Sequence, residues 1–272
     1  MKYIFRSRLT WNRKCILCLL PSLIGVGIFY LIPFFRVVFY SLINNQFQRK
    51  FIGFHNYIEI LQNEFFILAL KNSILLIVFC VPVLIILAIV ISLVLSFLIK
   101  YIKGIRVAFI LPMLIPTASI TVIWKMIFHN TTNVMPIYIL FIWKNIGICI
   151  ILLTAAFTTI DKSILESARL DGASGYMLHT RVTIPIIAPT CFFAILLSIV
   201  NSFRIYKESY LYYGNQYPPD YSYTLQYYMN NNFLKFDYQA LAVSSVLTSI
   251  LVLAIILVGF WIQRRCSFDS YR

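Results

Sequence analysis

The sequence predicts an all-α membrane protein with six transmembrane helices, and three observations carry that prediction. Of the 272 residues, 61% are hydrophobic and only 12% are charged, about half the charged share of an ordinary soluble domain. The apolar residues gather in blocks of about 20, the length a helix needs to cross about 30 Å of hydrocarbon. No stretch alternates at period two over about ten residues, as the strands of an outer-membrane barrel do. Each segment must therefore satisfy its own backbone hydrogen bonds inside the bilayer, and a helix does that.

Taken in order, the first span runs from Ile16 to Tyr40 and carries Pro21 and Pro33. A basic arm precedes it (Lys2, Arg6, Arg8, Arg13, Lys14). Its apolar run outlasts the 7–15 residues of a signal-peptide core, so it reads as a retained helix. The second span is Ser73–Ile99, with Pro82 inside. The third is Val107–Phe128, with Pro112 and Pro116, and the fourth is Pro136–Phe157. The fifth and sixth are Pro185–Phe203 and Ala240–Ile262. Interior prolines free a carbonyl and bend a helix, which membranes tolerate where neighbours or a cavity satisfy the backbone. As domains, residues 1–67 form the arm, first helix and first outer segment. Residues 68–264 form a five-helix core, and residues 265–272 form a tail.

Fourteen of the 23 Lys and Arg residues fall in the arm, at 100–106, at 161–181 and in the tail. The positive-inside rule then puts both termini in the cytoplasm. The outer segments are 41–72, a short turn at 129–135 and the tyrosine-rich stretch 204–239, read as a collar at the membrane interface. The net charge of +14 is explained by topology and anionic lipid; no basic stripe of a nucleic-acid-binding kind is present. Cys15 and Cys18 make one CxxC with no second pair or nearby histidine, so no metal site is expected. A membrane-embedded enzyme would need clustered acid, base or metal ligands at depth. The three histidines (His55, His129 and His179) lie outside the spans, and neither HExxH nor GxSxG occurs.

One inner stretch differs from the rest: residues 159–190, TIDKSILESARLDGASGYMLHTRVTIPIIAPT. It is polar, long for an inner loop, and ends at the mouth of the fifth span. It begins as a short amphipathic helix that Asp161 or Ser163 would cap. Ile164, Leu165, Ala168 and Leu170 are its apolar residues, and Gly172 stops it. Ser167, Ala168, Gly172 and Ala173 are small enough for another protein to approach closely. A push on this helix would move the spans on both sides of it.

This stretch resembles the coupling loop of binding-protein-dependent ABC importer permeases, whose pattern is EAA, three residues, Gly, nine residues, I-x-L-P. Here it is Glu166-Ser167-Ala168, then Gly172, then Val182, Ile184 and Pro185 at the same spacing. Ser167, Val182 and Ile184 depart by small or apolar exchanges. LDGAS followed by TIPIIAP is similar to the carbohydrate branch, of maltose and glycerol-phosphate type. FIGFHNY at 51–57 and the stretch 110–128 extend the likeness over most of the chain. The resemblance implies a type I importer permease fold, with the coupling loop at 159–185. It implies three partners: a second permease chain, a cytoplasmic ABC ATPase dimer and an extracellular solute-binding protein. This chain has no GxxxxGK[ST], so ATP and Mg belong to the ATPase. Glu166, Ser167, Ala168, Asp171, Gly172, Ala173 and Pro185 are the expected coupling residues. For the solute path the polar residues inside spans are candidates: Ser198 and Asn201 in the fifth, Lys144 and Asn145 in the fourth. Lys144 has an alternative reading as a side chain snorkelling to the outer interface. The same architecture also serves amino acids, peptides and phosphonate, and a membrane subunit without a transport role is the remaining alternative.

Overall fold

A computed structural model describes residues 15–45, 47–97, 102–129, 131–214 and 217–269. The basic arm before Cys15, Lys100, and the last three residues of the tail lie outside the described residues, so the expectations placed on them are not addressed. Every named element is a helix; the one β feature among the described residues is an isolated bridge between Ile43 and Phe51.

By contact, the chain forms two compact units. One comprises residues 1–62 with 232–247, the other residues 63–231 with 248–272. In the first, α1 (Cys15–Ser41) is a 27-residue apolar helix, and nothing in its most apolar window is buried within the chain. It carries a π turn at Gly27–Leu31. The link to α2 (His55–Gln62) is folded rather than loose. The amide of Asn56 donates to the carbonyls of Ser41 and Ile43, both at 3.0 Å, and the hydroxyls of Ser41 and Tyr57 bond at 2.7 Å.

The second unit is built around α6 (Met135–Thr158). Against it pack α3 (Glu64–Phe97), α4 (Ile102–Leu114) and α8 (Ile184–Ser202). The apolar side chains of α3, α6 and α8 that face inward make one continuous core, including Leu84, Phe141, Ile150, Leu153 and Ile187. Dispersion and packing hold such contacts in a membrane, because lipid tails supply no hydrophobic drive. Small residues permit the closest approach: a Cβ added to Gly147 would fall on the Phe109 carbonyl of α4. Ser92 also donates to the Ile150 carbonyl at 3.1 Å.

Five helices are long and apolar enough to span, and a sixth arises if one bent pair counts as a span. That pair is the expected third span at 107–128, bent at a proline far more sharply than a kink. α4 and α5 (Thr117–Ile127) meet at 101°. The break sits at Ile115–Pro116, because proline bars the helical region to the residue before it and offers no N–H. Pro112 is carried inside α4 without a break. The fourth span is where it was expected. The second begins at Glu64 rather than Ser73, since Asn63 caps it by accepting from the amides of Phe65 and Phe66. The fifth is longer at both ends, a helical run from Gly175 to Tyr213. The sixth, α11, extends over Tyr238–Asp269, into the expected tail.

Candidate functional site

The coupling stretch folds as its local chemistry dictates. α7 (Lys162–Leu170) starts at Asp161, whose carboxylate accepts from the Ser163 amide at 3.0 Å. That hydrogen bond, made to the ionised form, holds the Asp161 carboxyl below the usual carboxylate range. The helix ends in a Schellman motif: the Ala173 amide donates to the Ala168 carbonyl and the Gly172 amide to the Arg169 carbonyl, both at 3.0 Å. Gly172 stands at φ +86° with open space around it. Its lack of a side chain serves the left-handed turn, and within this chain no neighbour requires a close approach.

No residue of α7 is buried. Leu165 and Ala168 are half-buried, while Ile164, Glu166, Ser167, Arg169 and Leu170 are exposed. Leu170 is 89% exposed and Tyr176 81%, so two large apolar groups stand free beside the helix. The side chains of Glu166, Arg169 and Asp171 make no ion pair or hydrogen bond among the described residues. Past Gly172 and the half-buried Ala173, Ser174 accepts from the Met177 amide and begins a new helical turn at Gly175. A π turn then covers Leu178–Thr183 and leads into α8 through Ile184 and Pro185. Leu178 and Thr183 are buried and fix this turn to the bundle, and the Thr183 hydroxyl donates to the Leu178 carbonyl. Pro185 is exposed where the π turn passes into α8. The coupling residues read from sequence therefore lie on one exposed segment. Leu170 and Tyr176 were not singled out as docking groups; an apolar residue next to a cap is the signal that marks them.

The four pathway candidates separate. Ser198 is buried, donates to its own helix at Ala194, and has Cys149 at 3.5 Å. Asn145 donates back to the Phe141 carbonyl at 2.8 Å. Asn201 is half-buried on α8, and its amide makes no hydrogen bond among the described residues. Lys144 does not snorkel. It lies nine residues, about 14 Å, inside α6 and forms an ion pair with Glu208 at 2.5 Å, the two side chains only 13% and 11% exposed. Its ammonium also donates to the Thr117 hydroxyl at 3.3 Å, and that hydroxyl approaches Glu208 at 3.5 Å. Glu208 was missed in the sequence. Its signal was being the one acid in a tyrosine-rich helix, α9 (Tyr206–Tyr213).

The rest of the tyrosine-rich stretch is a packed layer. α10 (Leu225–Leu234) carries Tyr227, fully buried, with its hydroxyl on Ser209 at 3.3 Å and its ring edge-on to Tyr206 at 4.8 Å. Burial pushes the Tyr227 phenol well up. Asn72 on α3 donates to the carbonyls of Asp220 and Tyr223, the latter at 2.9 Å. The stretch expected to form an interfacial collar is thus packed internally within this unit.

With this geometry in view, the likenesses to other proteins fall into one pattern. Residues 73–267 match the model of a family described as binding-protein-dependent transport system inner membrane component. A probable ABC transporter permease of Mycoplasma pneumoniae is 27% identical over 234 residues, 75% of this chain and 70% of the relative. The arabinooligosaccharides transport system permease of Bacillus subtilis is 25% identical over 80% of this chain and 77% of its own. The lactose transport system permease of Rhizobium radiobacter is 23% identical over 88% and 89%. Among solved structures, a chain of a bacterial alginate ABC transporter, crystallised with an alginate pentasaccharide-bound periplasmic protein, superposes with a TM-score of 0.72 at 24% identity. The match covers 98% of this chain and 97% of that one.

Proposed function

The chain belongs to the binding-protein-dependent transport system inner membrane components, multi-pass membrane proteins of transport. From that premise we propose that it is one permease subunit of an ATP-driven importer for a sugar or a related polar solute. A second permease chain completes the pathway, and a cytoplasmic ABC ATPase dimer holds ATP and Mg and supplies the drive. A solute-binding protein delivers cargo on the far side. The membrane is the bacterial cytoplasmic membrane, with both termini inside. The sugar reading is supported by relatives named for arabinooligosaccharides and lactose.

The observation that carries the coupling role is the exposed, doubly capped α7. Its backbone is fixed at both ends by its own caps, yet none of its residues is fully buried in this chain. In this reading Leu170 and Tyr176 enter a groove of the ATPase. Glu166 and Asp171 meet its polar rim, and Ser167, Ala168 and Ala173 allow close approach. Asn201 is the polar group of α8 best placed to face solute, since Ser198 and Asn145 are satisfied within the bundle.

The test is a gentle pull-down of the tagged chain from native membranes, with mass spectrometry of what accompanies it. Recovery of an ABC ATPase and a second six-span permease is expected. In Gly172→Leu the left-handed turn is strained by about 1–2 kcal/mol and the Schellman bonds open, so the ATPase should be lost while membrane insertion stays normal. Full recovery of the ATPase with Gly172→Leu would refute the docking role.

A further inference from the structure

The helical run from Gly175 to Tyr213 is 39 residues long. It leaves the coupling segment at one end and carries Glu208 near the other. α6 enters the same coupling segment at Thr158 and carries Lys144 about 21 Å before it. These two long helices are therefore joined covalently at the coupling end through residues 159–174, and by an ion pair away from that end. The ion pair does not stand alone. Thr117, the first residue of α5 after the break at Pro116, contacts both charges. The Tyr212 hydroxyl donates to the Phe128 carbonyl at 3.2 Å, and the Trp124 indole donates to the Pro136 carbonyl at 2.8 Å. The Trp124 and Trp143 rings stack at 5.4 Å. Three independent polar contacts thus bind α5, α6 and α9 to one another at one end.

We propose that the Lys144–Glu208 pair is a permanent tie. It makes α6, the coupling segment and the helix ending at Tyr213 a single lever that the ATPase moves as a unit. The inference rests on the coupling role assigned above. Its physical basis is desolvation. Both charges are mostly withdrawn from water, and parting them would leave two uncompensated charges in a low-dielectric setting. A hairpin joined only by its loop would splay when pushed, whereas one also tied away from its loop tilts or shifts whole. Lys144 and Glu208 act as positioning residues here and need not touch solute.

The experiment uses the assembled transporter in lipid, with the native cysteines of this chain replaced by alanine. Spin labels are placed at Ile139→Cys on α6 and Leu211→Cys on α9, both exposed. Pulsed electron spin resonance then measures the distance between them, without nucleotide and after trapping with ATP and vanadate. With the native pair, one narrow distance is expected, moving no more than about 2 Å on trapping, the scale of ordinary helix shifts. Lys144→Met or Glu208→Gln should broaden and lengthen it. The exchanged pair, Lys144→Glu with Glu208→Lys, should narrow it again. If the single variants fail to assemble, the neutral pair Lys144→Met with Glu208→Leu leaves no orphan charge. A broadened distance there supports the tie, and a native-like distance overturns it. A larger shift on trapping with the native pair overturns the proposal, because the pair then opens. So does a native distribution in Glu208→Gln. Absence of trapped nucleotide would count against the coupling reading instead, while the nucleotide-free comparison of native and Glu208→Gln chains still decides the tie.

Discussion

Two polar segments of this chain have nearly the same size and opposite construction. The coupling segment around α7 spends its hydrogen bonds on its own backbone caps and leaves every side chain of the helix outside the core. The tyrosine-rich segment after α8 buries many of its side chains and ties them together through Tyr227–Ser209 and Tyr223–Asn231, with two of its carbonyls held by Asn72 of α3. Both are interruptions in an apolar sequence, and composition alone would class both as loops. The first is a fixed backbone shape with its side chains turned outward. The second has found its partners within its own unit. Stability and coupling should therefore respond separately to substitution in the two places.

The sharpest separation is expected from Leu170→Asp. A leucine buried in an ATPase groove contributes about 1.5–3 kcal/mol, so ATPase capture should fall by about ten- to a hundredfold. The melting temperature of the purified chain should not move, because Leu170 buries almost nothing in it. A large fall in melting temperature would break the comparison. Asn72→Ala tests the other side. It orphans the Tyr223 carbonyl, at about 1–3 kcal/mol, and should lower stability clearly in denaturant titration while the folded fraction still captures ATPase normally. A smaller effect of the same kind is expected from Tyr227→Phe, about 1 kcal/mol, read as a modest drop in melting temperature.

The smallest effect belongs to Asp161→Ala, which removes the cap of an exposed helix and should raise amide exchange only in the first turn of α7. The pH dependence has a definite sign. The Asp161 carboxyl is held below the ordinary carboxylate value by the Ser163 amide. Its contribution is present above the unfolded value and is lost as pH falls through the folded one. Amide protection of α7 should thus be flat near neutrality and fall only in acid, and Asp161→Ala should abolish that acid step.

Local chemistry was readable in the sequence, and distant pairing was not. The apolar blocks give the spans because hydrocarbon thickness leaves little choice, and Asp161 and Gly172 mark the ends of α7 because caps are made within a few residues. The third span shows the limit. Hydropathy is blind to direction, so Val107–Phe128 read as one helix although Pro116 turns the chain by 101°. Lys144 shows another. Its partner lies 64 residues away, and without it a lysine in an apolar helix resembles one reaching for the interface. Tyr206–Tyr213 read as interfacial because tyrosine favours that layer, and nothing local signals that Glu208 turns inward. The residues read as coupling residues share one exposed segment because they are neighbours in sequence. The pathway candidates came apart because their helices were known but not their faces.

The π turn at Leu178–Thr183 has a consequence for phasing. It carries the wider hydrogen-bond spacing of a helix with one residue to spare, and it lies between the α7 segment and the part of the helical run that carries Glu208. Deleting that spare residue would let the turn relax to ordinary α geometry and leave the residues beyond it nearly in phase, whereas deleting one from the α-helical part of α8 would rotate every residue beyond it by about 100°. Glu208 would then face away from Lys144. This short stretch is therefore a place where the helix can lose a residue without changing the clock position of its outer half.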